Sequence, residues 1–168
     1  ALSFDGLPAL RPWSGRTEDG PFALAGNLLV PFSNRIDGGF DWHGIWQAVP
    51  PNLQGEACAI HGDAFQRPWQ AVEVGPAEVM LALPAGAIGP WRYRARVRYA
   101  LTAEALMAEL TVTSTAGRPL PFGLGFQPWM RRGPETRLAF GETGEWHEDQ
   151  RHPPRSPAPE PVPDDWDF

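Results

Sequence analysis

The side chains best suited to chemistry fall in three short segments: Pro31-Phe-Ser-Asn-Arg-Ile36, Ala59-Ile-His-Gly-Asp63 and Gly123-Leu-Gly-Phe-Gln-Pro-Trp129. Arg35 brings a permanent charge on a planar fork of donors. His61 brings the one side chain that titrates near neutral pH, so it can give or take a proton. Gln127 can hydrogen-bond but does not titrate, which bars it from general acid–base work. Each segment also has a plain structural account: a turn contact for Arg35, a satisfied core ring for His61 and strand packing for Trp129. The choice between these accounts depends on the elements that must position the side chains.

Twenty Pro and 18 Gly leave few windows long enough for three helical turns, so no helix is expected. Period-two alternation is widespread instead. Along Trp91–Leu101, the residues Trp91, Tyr93, Ala95, Val97 and Tyr99 share one face, while Arg92, Arg94, Arg96 and Arg98 share the other. The four-Arg face reads as a solvated outer surface. Leu106–Thr113 follows through a link at Thr102–Ala105, with Leu106, Ala108, Leu110 and Val112 expected inward. Trp69–Val74 and Glu78–Leu83 flank a hairpin link at Gly75–Ala77. Phe40–Trp42 and Ile45–Gln47 flank a tight turn at His43-Gly44. Strands that follow one another at short spacing predict an all-β, antiparallel, sandwich-like fold.

Within that pattern, Pro31–Ile36 leaves an apolar stretch and enters Asp37-Gly38-Gly39, so Arg35 is expected where a strand runs into a turn. His152–Pro163 is too rich in Pro for a strand ladder and is expected to be extended or polyproline. The expected organisation is therefore a sandwich portion over 1–150 and a Pro-rich segment over 151–168 that leads out of it.

Composition narrows the classes of partner. The chain has 168 residues, enough for one domain with a core, and its net charge is −6. All 14 basic residues are Arg, and an acidic chain of this kind lacks the dense positive patch that a nucleic-acid backbone requires. No apolar run approaches the length of a membrane span. The single Cys58 excludes an internal disulfide and a Cys-based metal site, and the four His show no ligand spacing. No secretory leader pattern is visible, so a cytoplasmic location is expected. Eight Trp and nine Phe suit both β-cores and the apolar faces of sugar rings.

Taken in order, Asn27–Ile36, Ala59–Asp63 and Gly123–Trp129 resemble the aldose 1-epimerase (galactose mutarotase-like) family, whose members interconvert the anomers of free sugars. The resemblance implies the family's large β-sandwich, here incomplete on its C-terminal side. It also implies a small-molecule sugar as partner, a free or phosphorylated hexose, with no cofactor and no metal. A homodimer, or a second chain or segment completing the fold, is the expected assembly. By the same resemblance Arg35 and His61 bind sugar hydroxyls, Asn34 shapes the turn, and Phe126 and Trp129 form apolar walls. Gln127 occupies the place of the family's proton-donating His.

Anomer exchange makes that last difference serious. A base takes the proton from the C1 hydroxyl while an acid protonates the ring oxygen; the C1–O5 bond breaks, the aldehyde end rotates and the ring recloses. General acid assistance contributes about two to four orders of magnitude in rate, and a carboxamide cannot supply it. The catalytic candidates are therefore His61 and Gln127, and the general base has no counterpart in this sequence. The alternative expectation is a non-catalytic carbohydrate-binding module that keeps the pocket and has lost the proton donor.

Overall fold

A computed structural model describes residues 2–137, 141, 143–146 and 158–162. Twelve strands account for nearly all of its regular structure: β1 Ser3–Phe4, β2 Leu7–Pro8, β3 Gly26–Leu29, β4 Arg35–Ile36, β5 Gly39–Trp42, β6 Ile45–Ala48, β7 Ala59–Ile60, β8 Gln70–Val74, β9 Glu78–Ile88, β10 Trp91–Leu101, β11 Leu106–Ser114 and β12 Gly125–Pro128. The only helical pieces among the described residues are three short 3₁₀ turns, at Thr17–Asp19, Pro21–Ala23 and Ala64–Gln66. The fold is all-β, and every strand ladder is antiparallel.

One layer is a four-stranded sheet in the order β11-β10-β9-β8. Its strands are joined by the short links that the sequence predicts, with β9 running on to Ile88 instead of stopping at Leu83. A register shift opposite Tyr93 and Ala95 lets that long strand continue. Beside it Tyr93 faces Gly86, where a Cβ would sit 2.2 Å from the phenol ring. The alternation on β10 is obeyed: Trp91, Tyr93, Ala95 and Val97 are buried, and Arg92, Arg94 and Arg96 are exposed. Arg98 pairs with Glu78 across the sheet at 2.6 Å.

On β11 the expectation needs correction. Leu110 and Val112 pack against the core, but Leu106 and Ala108 are exposed. That end of the sheet runs past the residues that cover its inner face, so alternation continues there without burial.

The inner face is covered by short ladders and loops rather than by a second long sheet. Val30, Phe32, Val49, Ala59 and Ala64 meet Leu83, Ile88, Trp91, Tyr93 and Ala95 in one core. Phe32 and Phe40 lie 5.4 and 5.2 Å from Trp91, whose indole N–H donates to the Pro121 carbonyl at 2.7 Å. Truncating a ring packed in this way typically costs about 3–5 kcal/mol. The expected tight turn at His43-Gly44 joins β5 to β6, and the Gly44 N–H donates to Asp41.

Most of the Pro-rich segment lies outside the described residues. Where it is described, it makes one isolated bridge and no strand ladder. Glu160 bridges Glu145, and each backbone N–H donates to the other's carbonyl at 2.7 and 2.8 Å. A single bridge needs only one residue with a free N–H, and Glu160 supplies it between two prolines.

Candidate functional site

Four elements converge on the imidazole of His61. Strand β7 pairs with β4, placing Arg35 opposite Ile60, and the His61 N–H then donates to the Asn34 carbonyl at 2.9 Å. His61 and Gly62 next take successive left-handed conformations, φ 59° and 72°. For His this costs about 1–2 kcal/mol, and Gly62 has no room for a side chain, since a Cβ would lie 1.8 Å from the Val30 carbonyl oxygen.

The turn so made is fastened from three sides. Val30 N–H donates to the His61 carbonyl, and Asp63 N–H donates to the Val30 carbonyl. Asn52 grips the segment before the turn: its amide donates to the carbonyls of Ile60 and Gly62, and its carbonyl oxygen accepts from Ile60 N–H at 2.7 Å. Beyond the turn, Asp63 accepts from the Tyr93 hydroxyl at 2.6 Å and from Ala87 N–H and Arg67 at 2.9 Å. Burial, together with this bond to Asp63, raises the Tyr93 hydroxyl pKa well above its ordinary range.

The ring of His61 is buried and its two nitrogens are both engaged. Nδ1 lies 3.0 Å from the Ser33 carbonyl oxygen, which can only accept, so Nδ1 carries the proton. Nε2 lies 3.2 Å from the amide nitrogen of Gln127, which donates to it. Strand β12 pairs with β3 so that Gln127 sits opposite Asn27, and the Asn27 amide donates to the Gln127 oxygen at 3.3 Å. Phe22 and Phe65 pack edge-on against the imidazole, each with its centroid 5.9 Å away. Burial is the main influence holding the His61 pKa below its ordinary 6.5. The Ser33 bond opposes that, Arg35 adds to it, and Glu56 opposes it.

The other residues expected at the site are placed as follows. Arg35 is partly buried, with its Nε 3.4 Å from Glu56. Asn34 is exposed and contributes its backbone carbonyl to the His61 turn. Phe126 is exposed, on the face of β12 opposite to that of Gln127. Trp129 lies beyond the end of β12, where the Arg11 guanidinium stacks over its indole at 4.5 Å. The rings that touch His61 are thus Phe22 and Phe65, which sequence reasoning missed. It also missed Asn27, a buried amide at the head of the apolar run Leu28-Leu29-Val30. Among the described residues, no three or more His, Cys, Asp or Glu side chains gather as metal ligands. No described helix is long and apolar enough to cross a membrane.

A family model for aldose 1-epimerase matches residues 10–168. The chain belongs to the aldose 1-epimerase family. It is similar to the uncharacterized protein YphB of Escherichia coli K12, with 33% identity over 145 residues, covering 86% of this chain and 49% of that protein. It is also similar to the uncharacterized protein YihR of the same organism, with 30% identity over 133 residues, covering 77% of this chain and 42% of that protein. A crystal structure of an Escherichia coli K12 protein assigned as an aldose 1-epimerase superposes with a TM-score of 0.80 at 30% identity, covering 95% of this chain and 58% of the other. The fold is accordingly the family's β-sandwich. The chain spans about half the length of the curated relatives it matches.

Proposed function

We propose that this chain contributes the sugar-binding rim of an aldose 1-epimerase-like protein acting at the anomeric centre of a free or phosphorylated hexose. Residues 1–150 would form the sandwich portion and 151–168 a segment leading out of it. The observation that carries the reading is the meeting of His61 and Gln127, 66 positions apart, beside Arg35 on the adjoining strand of a family sandwich. In this reading Arg35 and His61 hold hydroxyls. Gln127, with one amide hydrogen directed at His61, offers its second to the ring-oxygen side of the sugar.

The same contact limits the chemistry. A neutral imidazole has one lone pair, at Nε2, and Gln127 occupies it. Before His61 could deliver a proton it would have to become imidazolium, which burial opposes, and Gln127 would have to turn its oxygen toward the ring. Acid assistance is therefore weak at neutral pH. This favours a second reading, a carbohydrate-binding protein of the same fold that no longer accelerates mutarotation.

Polarimetry on fresh α-glucose and α-galactose with the full-length protein separates the two. Accelerated mutarotation supports the enzyme, whereas saturable binding without acceleration supports the binding protein. Replacing Gln127 with His should raise the rate by about two orders of magnitude or more if a general base is present. An unchanged rate in a folded, sugar-binding Gln127→His variant would remove Gln127 from the ring-oxygen side.

A further inference from the structure

We propose that Asn27 is a positioning residue that fixes the orientation of the Gln127 carboxamide and, with the Ser33 carbonyl at the other end of the same chain of hydrogen bonds, keeps His61 a neutral, Nδ1-protonated acceptor. The argument is one of donor order. Asn27 is buried at 3% exposure and sits directly opposite Gln127 in the β3–β12 ladder. Its amide nitrogen can only donate, so the Gln127 atom facing it must be the oxygen. A carboxamide has one oxygen and one nitrogen, so the atom left facing His61 is the nitrogen, a donor. Nε2 must then present a lone pair, and Nδ1, whose partner Ser33 is a carbonyl, must carry the hydrogen. The chain runs Asn27 to Gln127 to His61 to Ser33, with every donor pointing the same way.

Reversing the Gln127 amide would set nitrogen against nitrogen at position 27 and oxygen against a lone pair at His61. Only a rotated Asn27 together with a proton on Nε2 would relieve both. The amide is therefore held at both ends, by Asn27 behind it and by the Ser33-bonded imidazole in front. The consequence for a ligand rests on the sugar-binding reading: the free amide hydrogen of Gln127 has a set direction, and the rim offers a donor where a freely turning carboxamide would offer either character. The proton inventory of His61 stands whether or not a sugar binds.

The charged groups bearing on the imidazole are Arg35 and Glu56, paired with each other; Phe22 and Phe65 are apolar. Asp63 is committed to Tyr93, Ala87 and Arg67 on the far side of Gly62.

The test reads the tautomer and titration of His61 by nitrogen-detected NMR in the full-length protein, with binding of glucose and galactose measured alongside. Asn27→Asp replaces the donor with an acceptor. The Gln127 amide should then reverse, His61 should carry hydrogen on Nε2, and its titration midpoint should rise. Because the new carboxylate also acts through space, the same substitution is repeated in a Gln127→Leu background, where the tautomer change should disappear. A tautomer change that persists without Gln127 overturns the proposal, as does a folded Asn27→Asp variant whose His61 keeps its Nδ1 proton and its midpoint. Should the carboxylate prevent folding, the uncharged Asn27→Leu variant decides. It frees the Gln127 amide to turn its oxygen toward Nε2 while the Ser33 carbonyl keeps its bond to Nδ1, so the His61 titration midpoint should rise, and a folded Asn27→Leu variant with an unchanged midpoint overturns the proposal. If the tautomer responds and no sugar binds, the positioning role stands and the sugar reading falls.

Discussion

Strands β9, β10 and β11 follow one another through short links and pair along most of their length, from Tyr93 opposite Ser114 to Leu101 opposite Leu106. The ladders that bring His61 to Gln127 pair over two to four residues, between segments as distant as Gly26–Leu29 and Gly125–Pro128. In the sheet, local alternation and a buried Trp91-Tyr93 face set the geometry, and many interchangeable contacts share the work. At the rim the geometry rests on a few irreplaceable polar groups: Asn52 holding Ile60, Asp63 holding Tyr93, Gly62 lying against Val30. The difference predicts that single substitutions at the rim do more harm than those on the outer face of the sheet.

The sharpest way to break that comparison is Gly62→Ala. A methyl group at a left-handed position, aimed at the Val30 carbonyl, should cost about 4 kcal/mol or more. Thermal unfolding that matches the wild type would show that the turn is not closed as described. Asn52→Ala comes next. It leaves the Ile60 N–H and the carbonyls of Ile60 and Gly62 without their partner, for roughly 3 kcal/mol, read from the urea midpoint. An unaltered midpoint would move the burden from Asn52 to the neighbouring ladder.

A smaller effect belongs to pH. The folded state lowers the His61 pKa, so the unfolded chain binds the proton more readily. Its contribution is complete above the unfolded value of about 6.5 and fades as pH falls through the lower folded value. Urea midpoints measured from about pH 8 to pH 5 should decline toward acid, less steeply in His61→Gln. An equal slope in both would assign the decline to other groups. The least effect is expected on the outer sheet face, where Arg94→Ser should shift stability by less than about 0.5 kcal/mol. A loss of several times that would mean the Arg face is not merely solvated.

The same contrast explains what the sequence disclosed. Period-two alternation identified β10 and the hairpins around it because the sheet pairs neighbours in the chain. It could not reveal that β3 pairs with β12, since a ladder across a hundred positions leaves no local trace. It also overestimated burial at Leu106 and Ala108, because periodicity tells which residues share a face and not whether anything covers it. Motif order pointed to His61 and Gln127, which the fold brings into contact. It pointed equally to Phe126 and Trp129, yet the rings against His61 come from two 3₁₀ turns, Pro21–Ala23 and Ala64–Gln66, whose sequences carry no periodic signal. Side chains on strands were legible to the degree that the strands were; those on turns were not.

The carboxamide of Asn52 does for Ile60 what a neighbouring strand would do, offering one acceptor and one donor from a single side chain. Between Asn52 and Cys58 the chain makes a tight turn, with Glu56 N–H donating to Leu53 and an exposed tip at Gln54-Gly55. Because the imidazole is anchored at the base of that excursion, the tip can be lengthened at little thermodynamic expense, about 0.6 kcal/mol for each doubling of the loop. New sequence grafted there would stand next to the His61 end of the sandwich without displacing it, and under the proposed sugar-binding role this loop is an entry point for changing what the rim recognises.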